Sequence, residues 1–264
     1  MNRLKEQLYR SMLVFFLISQ FAVGGVRAYE EIPVNNGASV KGTVKLSGPV
    51  PSPLRFRLTM GAYPEHCRPL ADTDGNVLLP RARVSKDQNV QDAVVFIQGL
   101  ERGKPQGKEG PKLTVNRCQF DQLVLAGMDG TALSLVMNDT VLHPLRGWEM
   151  LNEGRIPLFH FPTMETGEEQ SAKLTTRRSG MVKVECDQHR FMQAWILVPI
   201  NPYFSKTDED GQFQIDDIPP GTYTVSVWHP SLGYLEQPLT VGANEQQSLT
   251  FQFHTTHPEK NQVQ

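Results

Sequence analysis

The stretch from Val182 to Val198 reads VKVECDQHRFMQAWILV. Its two ends are short apolar runs of the kind that form β-strands, and the polar middle is short enough to be a tight loop. Cys186 ends the first run, His189 and Met192 lie in the loop, and the second run begins at Gln193. This segment therefore predicts that a thiol, an imidazole and a thioether lie together at one end of a β-sheet.

Similar runs, rich in Val, Leu, Phe and Thr, recur along the chain and are separated by clusters of Gly, Pro, Asn and Asp. The predicted strands are Ala38–Leu46, Ala93–Gln98, Leu123–Leu125, Ala132–Met137, Met181–Cys186, Ala194–Val198, Gly211–Ile215, Thr222–Trp228 and Ser248–Phe253. Their spacing is typical of a sandwich or barrel. The best helical period, near Trp148–Glu153, extends over no more than about two turns. The predicted fold class is all-β.

The first 28 residues have the layout of a secretory signal peptide: basic residues, an apolar run over residues 12–23 and a predicted cleavage site after the small residue Ala28. An uncleaved N-terminal anchor is the alternative. No later segment is apolar and long enough to cross a bilayer. The sequence thus predicts a periplasmic or secreted protein with no stable membrane span in the mature chain.

Charge also limits the possible partners. Residues 1–28 contain four basic residues and one acid, so the mature chain carries a net charge of about −5. A basic surface is the usual mark of nucleic-acid binding, so this balance argues against such a partner.

Three cysteines are an odd number for an exported chain, in which disulfides form and persist. Cys186 is the one surrounded by candidate metal ligands. Cys67 and Cys118 lie in polar surroundings without nearby ligand-type residues, so they are paired provisionally as a disulfide.

A trigonal metal site of two histidines and one cysteine, built on Cys186 and His189 with Met192 nearby, needs a second histidine. The best candidate is His143, which follows a predicted strand and the polar turn at Asn138-Asp139. Soft thiolate and thioether ligands favour copper, whereas zinc, the competing metal, accepts a thioether poorly. His160 is a spare imidazole that could replace His143, and it is otherwise a core or edge histidine.

Two stretches, Phe120–His143 and Gly180–Val198, resemble the cupredoxins of the plastocyanin type, which are Greek-key β-sandwiches. The chain more closely resembles exported bacterial proteins that join such a domain to a carboxypeptidase regulatory-like module. The resemblance implies one mononuclear type I (blue) copper site in an electron-transfer protein that is not an enzyme. It implies a redox partner such as a c-type cytochrome. The implied ligands are His143, Cys186 and His189, with Met192 as a weak axial ligand.

Two departures from that family pattern bear on the site. Only two residues separate His189 from Met192, where many plastocyanin-like loops have four. Pro144 follows His143 where an asparagine often stands, so a hydrogen bond that usually joins the two ligand loops is missing. Both departures predict altered colour or potential.

The segment Thr207–Trp228, TDEDGQFQIDDIPPGTYTVSVW, predicts two strands joined by a Pro-Pro-Gly corner. It resembles the carboxypeptidase regulatory-like, or transthyretin-like, β-sandwich, whose role is generally structural or adhesive. Asp208 and Asp210 resemble the start of a calcium-binding loop, but the further acidic positions and the final Glu that such a loop needs are absent. If this module dominates, the alternative function is a carbohydrate- or protein-binding scaffold with a vestigial or metal-storage copper site.

The predicted organisation is a signal peptide at 1–28, N-terminal strands and a linker at 29–111, a cupredoxin-like copper domain at 112–200, the smaller sandwich at 201–256 and a flexible tail at 257–264. Residues 201–253 supply too few strands for a complete sandwich. Strands at 38–46 and 93–99 either complete it or belong to an extended copper domain, and the sequence leaves both possibilities open.

Overall fold

The computed structural model describes residues 29–256, so the predicted signal peptide and tail lie outside the described residues. Within that range the chain is almost entirely β-structure, which confirms the predicted fold class. The strands are β1 Glu30–Glu31, β2 Ala38–Ser47, β3 Leu54–Arg57, β4 Asn76–Leu79, β5 Arg83–Val84, β6 Val90–Gln91, β7 Val94–Gln98, β8 Arg102–Gly103, β9 Lys112–Asn116, β10 Gln119–Phe120, β11 Val124–Ala126, β12 Ala132–Met137, β13 Leu145–Met150, β14 Arg155–Phe161, β15 Glu169–Lys173, β16 Met181–Cys186, β17 Gln193–Leu197, β18 Phe204–Lys206, β19 Gln212–Ile218, β20 Gly221–His229, β21 Gly233–Val241 and β22 Gln246–His254. Between residues 29 and 256, helical structure is limited to α1 Pro64–Cys67 and two 3-10 turns at Leu58–Met60 and Arg68–Leu70.

The first sandwich is built from two sheets with strand orders β10-β9-β12-β15 and β11-β17-β16-β13-β14. Period-two alternation drives this packing: along β16 every second residue is buried, and β13 alternates in the same way. The two buried faces meet in one core to which Leu113, Leu135, Leu145, Val184 and Ile196 belong. The carboxyl end of β16 and the start of β13 lie side by side, because β13 pairs antiparallel with β16 and Leu145 is opposite Cys186.

The second sandwich packs a sheet of order β18-β7-β20-β21 against a sheet of order β19-β2-β22. Strands β2 and β7 precede the first sandwich in the chain, and β18 to β22 follow it. β2 is the central strand of its sheet, antiparallel to β19 and parallel to β22, and β7 lies between β18 and β20. Both ends of the described chain thus contribute to this sandwich.

A small apolar cluster joins the two sandwiches. It consists of Val94, Leu123, Val124, Leu197 and Trp228. Within residues 29–256, no helix has the length and apolar character needed to cross a membrane.

Residues 54–79 form a separate excursion, called the cap here. β3 and β4 pair antiparallel at its base, and the 3-10 turns and α1 lie between them. Asp72 stabilises the turn before β4 by accepting hydrogen bonds from the backbone amides of Asp74 and Asn76, and Gly75 in the same turn has a φ of +76°. Phe56, Leu58, Cys67 and Val77 anchor the cap in the core of the first sandwich.

The weak helical period near Trp148–Glu153 is not a helix. Residues up to Met150 belong to β13, in which Leu145, Gly147 and Glu149 are buried and their neighbours are partly exposed. The buried positions of β13 hold Gly147 and Glu149 as well as Leu145, while the apolar Trp148 and Met150 are only partly buried, so the apolar residues do not follow a period of two. A register shift between Gly147 and Trp148 occurs in the pairing with β14.

Candidate metal centre

Two loops at one end of the five-stranded sheet carry the predicted ligands. Cys186 is the last residue of β16, and the loop to β17 carries His189 and Met192. His143 lies two residues before β13, in the loop that leaves β12. The antiparallel pairing of β13 with β16 therefore brings His143 to the same end of the sheet as Cys186.

The side chains of His143, Cys186 and His189 converge on one point. The Sγ atom of Cys186 lies 3.9 Å from Nδ1 of His143 and 3.6 Å from Nδ1 of His189, and the two Nδ1 atoms are 3.1 Å apart. A trigonal ion with metal–nitrogen bonds of about 2.0 Å and a metal–sulfur bond of about 2.3 Å places its ligand atoms roughly 3.5 to 3.7 Å apart. The three side chains fit a single mononuclear ion.

The outer nitrogens of both imidazoles have hydrogen-bond acceptors. Nε2 of His189 donates to the backbone carbonyl of Ala62 at 2.8 Å, and Nε2 of His143 lies 3.0 Å from Oδ2 of Asp139. A carbonyl or carboxylate oxygen can only accept, so each Nε2 carries the hydrogen and each Nδ1 lone pair faces Cys186. Partners of this kind fix the tautomer and orientation of metal-binding histidines.

Burial controls the protonation of the three ligands. His143 and His189 are fully buried, and burial lowers the pKa of both imidazoles, which keeps them neutral and able to ligate. Burial raises the pKa of the Cys186 thiol to about 11. A metal ion that binds here must therefore displace the thiol proton.

Asp139 connects the centre to the cap. Its Oδ1 lies 2.6 Å from Nε2 of His66, and its Oδ2 accepts the backbone amide of Cys118 as well as His143 Nε2. Although burial raises the pKa of this carboxyl, hydrogen bonds from Cys118, His66 and His143 lower it to about 2. Asp139 is thus ionised at neutral pH and holds His143 through a charge-assisted hydrogen bond.

The predicted disulfide between Cys67 and Cys118 is confirmed. The sequence suggested polar surroundings without ligand-type neighbours, which is wrong. Both cysteines are buried, and Sγ of Cys67 lies 3.6 Å from Nε2 of His189. The bridge ties the cap to the β9–β10 turn directly beside the metal centre. Cys186 is the free cysteine.

Met192 closes the ligand loop through its backbone. Its amide donates to the carbonyl of His189 at 2.9 Å, and its own carbonyl accepts the amide of Cys186 at 3.2 Å. The side chain is buried in the core of the first sandwich. Axial ligation by its sulfur stays a prediction.

The two ligand loops are joined in spite of Pro144. The carbonyl of Pro144 accepts the backbone amide of Asp187 at 2.9 Å, so a backbone hydrogen bond supplies the link that the sequence predicted to be missing. His160 lies on β14 at the sheet edge, 40% exposed, with Nε2 3.5 Å from Oδ2 of Asp187. The structure places it as an edge histidine outside the group of converging ligands.

Sequence reasoning missed Asp139, His66 and Ala62 as parts of the site. Asp139 was noticed only as a turn residue, although an acid four residues before a candidate ligand is a usable signal for an outer partner. His66 and Ala62 come from the cap, which lies far from the ligand loops in the chain. No local pattern links them to the site.

Comparisons with known proteins give similarities to copper proteins and to one further family. The chain is structurally similar to a purple cupredoxin from Nitrosopumilus maritimus, with 20% identity, a TM-score of 0.28, and coverage of 33% of this chain and 98% of that one. It is similar to a reduced mutant of amicyanin, with 15% identity, a TM-score of 0.29, and coverage of 35% and 85%. A third structure is the copper-containing nitrite reductase from Thermus scotoductus SA-01, with 22% identity, a TM-score of 0.29, and coverage of 36% of this chain but 23% of that one.

The family model for polysaccharide lyase family 4, domain II, matches residues 201–249, which lie in the second sandwich. A search of curated proteins gave no match.

Proposed function

We propose that this chain is an exported protein that binds one copper ion and transfers single electrons. The observation that carries the proposal is the convergence of two imidazole nitrogens and one sulfur, with separations of 3.1 to 3.9 Å, in a buried pocket at the end of a β-sheet. The chemistry of the donors favours copper: thiolate stabilises Cu(I), and imidazole accommodates Cu(II).

The surrounding residues support a role in electron transfer. His143, His189 and Cys186 would hold the ion in a geometry that both oxidation states accept, and Asp139 and Ala62 keep the imidazoles from turning. A rigid set of ligands reduces the reorganisation that accompanies gain or loss of an electron. The three ligands are also buried, which favours electron passage through the protein over catalysis on an organic substrate.

Export and partner belong to the same proposal. The Cys67–Cys118 disulfide beside the centre suits an oxidising compartment such as the periplasm or the extracellular space. A c-type cytochrome or a quinol-linked oxidase is a suitable redox partner there.

The test is a visible and EPR spectrum of the mature protein loaded with Cu(II). We expect an intense thiolate-to-copper absorption band, and we expect it to disappear in Cys186→Ser and to shift or weaken strongly in His143→Gln. His160→Gln is the matched control, because His160 is a partly exposed histidine on the same sheet. A band that survives in Cys186→Ser would refute the proposal.

A second candidate function is suggested by the family-model match to residues 201–249. In that case the second sandwich would bind a polysaccharide or a protein, and the metal centre would store copper or be vestigial. Metal analysis after reconstitution separates the two candidates: polymer binding by a protein that retains no copper would favour the binding module.

A further inference from the structure

A cleft of about 530 Å³ lies where the two sandwiches meet. One wall is the loop 176–180 between β15 and β16 of the first sandwich, called the arginine loop here, and the other is the end of β7 together with Tyr234 of β21. The segment 197–201, which leads from the first sandwich to the second, lies between these walls. None of the four predicted metal ligands, all within residues 29–256, lines the cleft. Its volume is within the range of about 300 to 1,000 Å³ that is typical of small-molecule sites.

Hydrogen bonds hold both walls of the cleft in place. The backbone amide of Val198 donates to the carbonyl of Gly180 at 2.7 Å. On the other wall the side-chain amide of Asn201 donates to the carbonyl of Ile97 at 2.8 Å. The buried carboxylate of Glu149 accepts the backbone amides of three consecutive residues of the arginine loop. A site that is formed before its ligand arrives loses less conformational entropy on binding.

The arginine loop gives the cleft an excess of positive charge. Arg177 and Arg178 both line the cleft and are exposed. Neither guanidinium group forms a salt bridge with any residue of the described range 29–256. Asp129 is the acid that lines the cleft among those residues, and its Oδ1 accepts the backbone amide of Thr176 at 3.2 Å. Guanidinium groups bind carboxylates through two parallel hydrogen bonds, so the cleft suits a carboxylate ligand.

Two exposed apolar side chains lie in the same cleft. Ile200 is 68% exposed and Tyr234 is 46% exposed. The ring of Phe96 meets the ring of Tyr234 edge to face, with centroids 5.8 Å apart and an interplanar angle of 84°, and so helps to fix the position of Tyr234. Exposed apolar side chains that gather in one place mark a binding surface.

The polar side chains of the walls are largely used within the protein. Nε2 of Gln98 donates to Oγ of Ser226 at 2.7 Å and to Oε1 of Glu236 at 3.0 Å. Oγ of Ser179 accepts the backbone amide of Met181 at 3.1 Å. A ligand with many hydroxyl or amide groups needs free partners for each of them, whereas an apolar body with one negative charge needs only the arginines.

We propose that this cleft binds a small apolar carboxylate, such as an aromatic acid. Its ring would pack against Ile200 and the face of Tyr234. Its carboxylate would accept paired hydrogen bonds from Arg177 or Arg178. The inference goes beyond the proposed electron transfer and does not depend on the metal centre.

The test is isothermal titration calorimetry of the mature chain with cinnamate, an aromatic carboxylate. Cinnamamide has the same apolar body without the charge, and acetate has the charge without the ring. We expect cinnamate to bind at least about tenfold more tightly than either, because the charge-assisted hydrogen bonds and the apolar contact both contribute. Equal affinities for cinnamate and cinnamamide, or no binding of cinnamate, would overturn the proposal.

Variants separate the two contributions. Arg177→Gln, Arg178→Gln should weaken cinnamate binding about tenfold and leave cinnamamide binding unchanged. Lys41→Gln, Lys45→Gln is the matched control, because it removes the same charge from exposed residues of β2. Tyr234→Ala should weaken the binding of both compounds. Tyr234→Phe keeps the ring and should bind both as the wild type does, which keeps the test available if the alanine variant folds poorly.

Two further measurements identify the occupant. The tripeptide Gly-Gly-Phe, with a free carboxylate at its end, is titrated in parallel. If it binds more tightly than cinnamate, the occupant is the chain end of a protein partner and the small-molecule assignment is wrong. Arginine variants that bind cinnamate as the wild type does would also overturn the site. The visible band of the same samples after copper loading tests the proposed function separately, because it does not depend on these affinities.

Discussion

Asp139→Asn tests the claim that an ionised carboxylate organises the metal centre from outside the ligand set. Asp139 is 3% exposed and holds Nε2 of His143, Nε2 of His66 and the amide of Cys118. Its pKa of about 2, against an ordinary value of 3.8, corresponds to roughly 2 kcal/mol of stabilisation of the ionised form. Asparagine keeps the shape but lacks the charge, and its NH₂ group would face one of the donors.

We expect two measurable effects of Asp139→Asn. The free energy of unfolding of the metal-free protein should fall by about 2 kcal/mol at pH 7 in urea titrations. Copper affinity, measured by competition with a chelator, should fall by 10- to 100-fold, the usual cost of losing the outer partner of a metal-binding histidine. Asp121→Asn is the control, because Asp121 accepts only a backbone amide at an exposed turn of the same sandwich.

The pH dependence gives the sign of the effect. The folded-state pKa of Asp139 is depressed, so its contribution is fully present above about pH 4 and is lost as the pH falls towards about 2. The difference in stability between the wild type and Asp139→Asn should shrink over that interval. A variant that keeps wild-type copper affinity, or a difference in stability that does not depend on pH, would refute the role given to Asp139.

Three further predictions follow from other parts of the structure. Metal binding must displace the thiol proton of Cys186, whose pKa is about 11. Copper affinity, measured by competition with a chelator, should therefore rise about tenfold per pH unit between roughly pH 8 and 10. An affinity that does not depend on pH would contradict this prediction. The Cys67–Cys118 disulfide closes a loop of 51 residues. The double variant Cys67→Ala, Cys118→Ala should therefore lower the free energy of unfolding of the metal-free protein by roughly 4 kcal/mol in urea titrations. An unchanged free energy of unfolding would contradict the anchoring of the cap by this bridge. Glu149 is fully buried and accepts hydrogen bonds from the backbone amides of Arg177, Arg178 and Ser179, which lower the pKa of its carboxyl although burial raises it. Glu149→Gln should therefore lower the free energy of unfolding by about 3 kcal/mol at pH 7, and by less as the pH falls. An unchanged midpoint of thermal unfolding would contradict this prediction.

Period-two patterns made nine of the 22 strands in the described residues predictable. Ala132–Met137 and Met181–Cys186 have the same bounds in the sequence analysis and in the structure, because each alternates buried and partly exposed residues and is bounded by turn residues. β13 was missed because its buried positions include Gly147 and Glu149, so its apolar residues do not alternate although its burial does. β14 and β15 have mostly exposed or half-buried side chains and hence a weak pattern.

Strand partners were harder to predict than strands. The sequence left open which sandwich contains residues 38–46 and 93–99, and in the structure β2 pairs with β19 and β22, while β7 pairs with β18 and β20. These pairings join residues far apart in the chain. Side-chain periodicity reports which face is buried but not which strand lies alongside.

The structure brings three of the four predicted ligands together, namely His143, Cys186 and His189. Two of them could be found from the sequence because they lie in one short loop, and His143 was found because it follows a predicted strand and a polar turn. Their outer environment could not be read in the same way. Ala62 and His66 reach the site only through folding of the cap and the disulfide to Cys118, a contact across 51 residues. Contacts between residues so far apart in the chain cannot be predicted from the local pattern of apolar and polar residues.

X-ray absorption spectroscopy at the copper edge, on the protein loaded with one equivalent of copper, measures which atoms bind the ion. We expect one sulfur and two imidazole nitrogens in the inner coordination sphere, with the sulfur absent in Cys186→Ser and one imidazole absent in His143→Gln. A wild-type spectrum fitted by nitrogen and oxygen neighbours alone would contradict this expectation.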